Sequence, residues 1–414
     1  MNVLIFTSLY PNNVWPHHGV FVKERMTKFA QLEGCQAKVV APVPYCPPLK
    51  ISRKAQFSQV VQREIIEGLE VYHPRYFMIP KVSMTCHGLL MFLSALPYIK
   101  KIQKSFDFDI IDAHYVYPDG FAAVLLGKFF KKPVVISARG SDISLFVKLP
   151  LIYRFLKYSL SKANRVIAVC QALKSAMMQL DVPEEKITVI PNGIDIQKFF
   201  PFPKEEARGK LGLPYDKRIL LSVGELIPRK GFDFLIKALK ILSEELHEKH
   251  LYLVIVGEGA FRKQLEQLIY ELNLGKQVRL VGSVPHQELY LWYNAADLFC
   301  LASSREGWPN VVLESLASGT PVVATDVWGI PEILCSDTLG VLTKQSEWEI
   351  AKGIASALHK PWQSDIIVRY AREHTWDQVA LSVLHVFTSA LTEQDDLSPT
   401  QTPLAVLPRT NLHK

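Results

Sequence analysis

The 414-residue sequence holds no pair of cysteines close enough to read as a motif. Its six, at positions 35, 46, 86, 170, 300 and 335, are far apart, with no CxxC and no metal-type spacing. This argues against a disulfide framework and a structural zinc site, and suits a reducing compartment. Long apolar runs are missing too. The longest, residues 88–99, is about half of what a membrane-spanning helix requires. No basic cluster precedes the apolar start at Val3, which therefore reads as a first strand rather than a signal peptide. A soluble chain, or one resting on a membrane surface, is expected. No internal repeat is found.

Apolar residues make up 49% and charged residues 21%, which excludes a disordered or fibrous chain. At about 150 residues per domain the length implies roughly two to three domains. Charge is unevenly spread. Residues 1–200 carry 25 Lys and Arg against 14 Asp and Glu, whereas residues 201–414 carry 22 against 26. A basic half joined to a mildly acidic one implies that the two meet different partners.

Short runs rich in Val and Ile, with little polar alternation, recur at 3–7, 37–41, 110–114, 134–138, 165–169 and 187–190. They recur again at 219–223, 252–256, 278–281, 298–301 and 321–324. Such runs suit parallel strands buried on both faces. Amphipathic segments lie between them, as at 261–272, where Leu265, Leu268 and Leu272 share a helix face. Alternating strand and helix implies an α/β fold of two doubly wound, Rossmann-like parallel sheets facing a central cleft. The break falls in 191–203, which holds Pro191, Asn192, Gly193, Pro201 and Pro203 and no periodic pattern. The expected units are residues 1–195 on the acceptor side, 196–365 binding nucleotide, a helix in 366–392 near Trp376 crossing back to the first unit, and a disordered tail, 393–414. Residues 42–58, with four prolines and three cations, are expected to be a long functional loop.

In such folds ligands bind where loops leave the strands. After the run at 298–301 comes Ser303-Ser304-Arg305-Glu306-Gly307-Trp308-Pro309-Asn310-Val311-Val312-Leu313-Glu314. Pro309 suits a first helical position, leaving the N–H groups of Asn310, Val311 and Val312 for an anion. Glu306 and Glu314 flank that site and can each accept from vicinal hydroxyls; otherwise they are a solvated loop carboxylate and a helix-dipole partner. A second constellation, Gly224 to Phe232, holds Arg229 and Lys230 after a strand, suited to a diphosphate or merely a basic turn.

The two glutamates seven residues apart, in the frame from Glu306 through Thr325, resemble the EX7E region of glycosyltransferase family four, retaining enzymes of GT-B fold. The resemblance runs from the first strand to about residue 390. It implies that Glu306 contacts the donor sugar, Glu314 the ribose, the loop Gly307, Trp308, Pro309, Asn310 and Val311 the diphosphate, and Arg229 and Lys230 its charge. It also implies that His114 contacts the transferred sugar, that Gly19 lies near the donor phosphate, and that Val284, in Gly282-Ser283-Val284, adjoins the base. Arg139 and Asp142 would border the acceptor, with Asp142 equally suited to capping a helix. Trp328 departs from the family, which often has glycine there. Gly257-Glu258-Gly259 lacks the third glycine of a dinucleotide motif, Arg262 standing in its place, and implies no NAD site.

The resemblance implies a metal-independent hexosyltransferase without cofactor, using a UDP- or GDP-linked sugar. Attack would come on the face the leaving group departs from, the departing phosphate helping to remove the acceptor proton. The acceptor would be a glycan or lipid-linked glycan of bacterial exopolysaccharide, teichuronic acid or lipopolysaccharide synthesis. Location would be cytoplasmic. Residues 148–165, with five cations and no acid, and Lys100, Lys101 and Lys104 suggest an anionic membrane surface. Nucleic acid is not expected as a partner. A GT-B sugar-nucleotide epimerase and a non-catalytic sugar-nucleotide or polysaccharide binding protein remain alternatives.

Overall fold

The computed structural model describes residues 1–45, 53–78, 84–248 and 250–396. Strands in chain order are β1 Asn2–Phe6, β2 Gln36–Val40, β3 Val43–Tyr45, β4 Arg63–Ile66, β5 Leu69–Tyr72, β6 Arg75–Phe77, β7 Ile110–His114, β8 Val134–Ala138, β9 Arg165–Ala168 and β10 Ile187–Val189. They continue as β11 Arg218–Val223, β12 Leu251–Val256, β13 Val278–Gly282, β14 Leu298–Leu301, β15 Val322–Thr325 and β16 Gly340–Thr343. The first sheet runs β10-β9-β8-β7-β1-β2-β5-β4, and the second β13-β12-β11-β14-β15-β16. Pairing is parallel throughout both except for the β4–β5 hairpin. Strand β7 is buried along its whole length, as helices on both faces require.

All eleven apolar runs are strands, and five further strands among the described residues were not expected. In the β4–β5 hairpin β4 alternates exposed and half-buried residues and β5 buried and half-buried ones, with Ile65 70% exposed, the mark of a sheet edge rather than a covered centre. β16 is an edge strand opened by a glycine, and β3 and β6 form a separate two-stranded ribbon of three-residue strands. The expected loop 42–58 is thus partly ordered, as β3 and as a 3-10 turn, Arg53–Gln59, while residues 46–52 lie outside the described residues.

The last helix, Trp376–Asp396, returns to the first sheet. Its Val379, Ala380, Val383 and Phe387 join Val22, Met26 and Phe29 of the helix Val20–Ala30 in one apolar cluster. The rings of Phe29 and Phe387 meet edge to face at 5.3 Å. This helix continues past residue 392 to Asp396, and residues 397–414 lie outside the described residues. Its entry touches the outgoing connection: Ile194 N–H donates to the His374 carbonyl at 2.8 Å, and Ile194 pairs with Thr375. Gly193 permits that approach, since a Cβ there would sit 2.5 Å from the Trp376 nitrogen.

The two halves are in close contact. Glu332, from the second half, accepts backbone N–H groups of Gln171 and Ala172 at 2.7 and 2.9 Å, at the start of the helix Gln171–Met178 of the first half. No helix among the described residues is long and apolar enough to cross a membrane.

Candidate active site

A cavity of about 310 Å³ lies between the carboxyl ends of the two sheets, within the range of small-molecule sites. Two helix starts face it. One belongs to the helix Val20–Ala30, which begins after Gly19 in the left-handed conformation (φ 66°). The other belongs to the helix Asn310–Ala317, preceded by Pro309. Pro309 is not the first helical residue: with ψ 108° it is the extended N-cap, and Val312 N–H turns back to its carbonyl at 3.0 Å. That removes Val312 from the expected anion site. The N–H groups of Val20, Phe21, Asn310 and Val311 have no acceptor among the described residues, so two positive helix ends point into one space.

Glu306, 8% exposed, lies on the second-half wall. Lys230 Nζ donates to its Oε1 at 2.6 Å, Ser303 Oγ donates to the same oxygen at 2.8 Å, and Arg229 Nη1 approaches at 3.3 Å. Burial pushes the carboxyl pKa up, but the two cations and these hydrogen bonds outweigh it and hold the group below its ordinary value. Lys230 and Glu306 line the cavity. Arg229 does not, its guanidinium being tied to the Arg305 carbonyl at 2.6 Å, so it braces the loop from behind.

Glu314, 5% exposed, projects from the second turn of its helix into the same cavity. The Tyr293 hydroxyl donates to Oε2 at 2.8 Å, and His286 Nε2 lies 3.1 Å from Oε1. Burial lowers the His286 pKa, but the Glu314 hydrogen bond and charge raise it further, so it ends above its ordinary value. Neither partner was foreseen. Tyr293 comes from the helix Leu289–Ala295 and His286 from the turn before it, and no local spacing ties either to residue 314.

The first half contributes Arg139. Its Nη1 donates to Asn192 Oδ1 at 3.0 Å and its Nη2 to His114 Nδ1, while the guanidinium carbon stands 5.0 Å from the centre of the Phe21 ring. Asn192 in turn donates to Asn310 Oδ1 at 2.9 Å, linking Arg139 to the helix start across the cleft. His114 is fully buried and does not line the cavity; it stands behind Arg139 and against Asp112. Asp142 is also fully buried. Its carboxylate accepts backbone N–H groups of Val116, Arg139, Gly140 and Ile143, so it shapes the loop and offers nothing to a ligand. Burial raises its pKa, only partly offset by those bonds.

Gly307 is pressed into the seam between the halves, where a Cβ would stand 2.5 Å from the Arg139 carbonyl. With Trp308, Pro309, Asn310 and Val311 it completes the cavity wall. Val284 lies in an adjoining cavity of about 400 Å³ with Gly224, Glu225, Gly257 and Glu258, sharing His17, Val20 and His286 with the first. Trp328 takes φ 49°, a region natural to glycine, so the backbone keeps the conformation that a glycine would favour although the side chain departs from it.

Comparison with known proteins agrees with this geometry. The family Glycosyltransferase Family 4 matches residues 31–198, and Glycosyl transferases group 1 matches residues 203–374. TuaC of Bacillus subtilis (strain 168), named as a teichuronic acid biosynthesis glycosyltransferase, is 29% identical over 373 residues, covering 88% of this chain and 92% of its own. A D-inositol 3-phosphate glycosyltransferase of Thermobispora bispora is 34% identical over 244 residues, covering 55% and 56%. Among solved structures, sucrose-phosphate synthase of Thermosynechococcus elongatus superposes with a TM-score of 0.77 at 20% identity, over 95% of this chain and 99% of that one. HepE of Anabaena, solved in complex with UDP, gives 0.71 at 20% identity, over 94% and 100%. Two facing sheets, a cleft walled by both, and family matches to each half together place this chain among the glycosyltransferases of family 4 and group 1, with a GT-B fold.

Proposed function

We propose that the chain transfers a sugar from a UDP- or GDP-linked donor to an acceptor hydroxyl with retention at the anomeric carbon. The observation that carries this reading is the single cavity in which Lys230, Glu306, Glu314 and two unsatisfied helix starts converge. The donor diphosphate lies at the Asn310 and Val311 N–H groups with Lys230 beside it, where fixed positive charge stabilises the leaving group as its bond to the sugar breaks. Glu306, kept ionised by Lys230, accepts from hydroxyls of the transferred sugar, and Glu314 from those of the ribose. The base occupies the adjoining cavity by Val284. The structures of HepE with UDP and with UDP-glucose support a nucleotide-sugar donor by analogy. Likeness to TuaC supports a bacterial surface polysaccharide as product.

The acceptor, a glycan or lipid-linked glycan, approaches from the basic first half. There the helix Pro150–Lys162 leaves Leu151 exposed, Leu145 and Leu149 are exposed just ahead of it, and the helix His87–Gln103 exposes Leu89 and Leu93. Apolar side chains beside lysines suit an anionic membrane surface.

Thermal denaturation with UDP, GDP and ADP and their glucose or mannose conjugates tests the reading, because binding raises apparent stability by mass action. At least one is expected to raise the wild-type Tm and to lose that effect in Lys230→Ala. No shift with any of them would refute it. With the donor known, the anomeric configuration of the product decides retention, turnover in EDTA decides metal dependence, and sedimentation with phosphatidylglycerol vesicles decides membrane attachment.

A further inference from the structure

Strand β7 places Asp112 and His114 on one face, two residues apart, and both are completely buried. His114 Nε2 lies 2.9 Å from Asp112 Oδ2. On the other side of the ring, Nδ1 meets Arg139 Nη2. A guanidinium only donates, so Nδ1 must accept, which leaves the ring proton on Nε2, close to Asp112 but not aligned for a hydrogen bond with it. The imidazole is therefore neutral and of one tautomer. The charged groups around it are Asp112, Arg25 and Arg139, with Asp142 beyond Arg139. Burial, with the two arginines, outweighs Asp112 and holds the His114 pKa down to about 4, in keeping with that assignment.

Arg139 is the member of this chain that reaches the cleft. It stands between the two helix starts, against Phe21 of one and, through Asn192, against Asn310 of the other. Resting on the assignment of a nucleoside-diphosphate donor, we propose that Arg139 is the first half's contact to the donor diphosphate and that His114, backed by Asp112, is a positioning residue that aims it. Lys230 reaches the ligand from one half and Arg139 from the other, so the anion meets both cations only when the halves are together. His114 touches no substrate and moves no proton.

Asn and Gln substitutions separate this from direct contact with the sugar. The Oδ1 of Asn falls near the His Nδ1 position and keeps an acceptor for Arg139, whereas Gln reproduces the Nε2 end and loses it. The probe is whichever of UDP, GDP or ADP stabilises the wild type most. Its Kd is expected to weaken by about 10-fold or more in Arg139→Ala and His114→Gln, the scale of a hydrogen bond to a charged group. His114→Asn should stay within about 3-fold, and Arg139→Ala with His114→Gln should bind no worse than Arg139→Ala alone. Additive losses, or Gln milder than Asn, would overturn the proposal, as would Arg139→Ala binding like wild type. If His114→Gln does not fold, Asn192→Ala removes the other acceptor of Arg139 and must give the same non-additivity. The ¹⁵N shifts of His114 provide a readout independent of any ligand: an unprotonated Nδ1 at pH 6 to 8 is required. A wild type that binds none of the three nucleotides refutes the donor assignment itself; one that binds but fails these tests refutes only the role of Arg139 and His114.

Discussion

Glu306 and Lys230 are each nearly withdrawn from water, and each is the other's nearest opposite charge. Breaking such a pair leaves a carboxylate desolvated with weaker compensation. Lys230→Met is expected to lower stability by about 2 kcal/mol at pH 7.5, below the ~3–5 range for fully buried pairs because both groups keep some exposure. The folded pKa of Glu306 is depressed, so its contribution is complete above the unfolded value and is lost as pH falls through the folded one. Urea unfolding at pH 7.5 and pH 4 should therefore show the gap between wild type and variant narrowing in acid. His114 obeys the same arithmetic from the other side. Its folded pKa of about 4 lies below the ordinary 6.5, so the unfolded chain takes up the proton first, and stability is lost as pH drops from about 6.5 towards 4. Asp119, raised by burial to about 7, works in the opposite direction. The His114→Asn variant isolates the histidine, and its stability relative to wild type should improve between pH 7.5 and 5. At this scale the cavity residues of the loops after β11 and β14 were legible, because a loop leaving a buried parallel strand has few other tasks. His114 was legible as a strand-end residue but not as a buried one, since only its place among neighbouring strands puts it inside. His286, Tyr293 and Asn192 left no local trace, because their partners lie far away in the chain.

Helix starts do work that no single side chain announces. The helix Val20–Ala30 has no acidic residue in its first turn and no side-chain cap, so its end stays available to an anion. Gly19 makes this possible by turning left-handed, close beneath Leu9. An alanine there would bring its Cβ within 2.3 Å of the Leu9 carbonyl and add a left-handed cost of about 1–2 kcal/mol. Gly19→Ala is expected to lower Tm and to weaken nucleotide binding more than the loss of fold alone explains, as calorimetry on the folded fraction would measure. Eleven strands, including β10 and β13 at sheet edges, were readable from short Val- and Ile-rich runs, whereas β4, β5 and β16 were not. Each of these is four residues long with half-buried or exposed positions along it, so polar residues interrupt the apolar run and the sequence looks like that of a loop.

The whole molecule is held shut by backbone as much as by side chains. Glu332 caps a helix of the opposite half, and Gly307 lets the two halves approach where any side chain would part them. Glu332→Ala should raise the radius of gyration of the ligand-free protein in small-angle scattering, and bound nucleotide should largely reverse the change. An unchanged profile would mean that the cap does not govern closure. The division into two sheets could be read from the proline-rich break, and the returning helix from its resemblance to known enzymes, but the seam could not: it is built of carbonyls and glycines.

The polypeptide passes between the halves twice, once outward at Ile194 and once back at Thr375, and the two passages are bonded to each other. A lone tether would let one half swivel freely beneath the other. Two strands tied side by side act as the spine of a book, leaving opening and shutting about one line as the easy motion. Each reopening then returns the same two surfaces to register, so under the proposed function a spent nucleotide can leave without the next substrate having to find a misaligned partner.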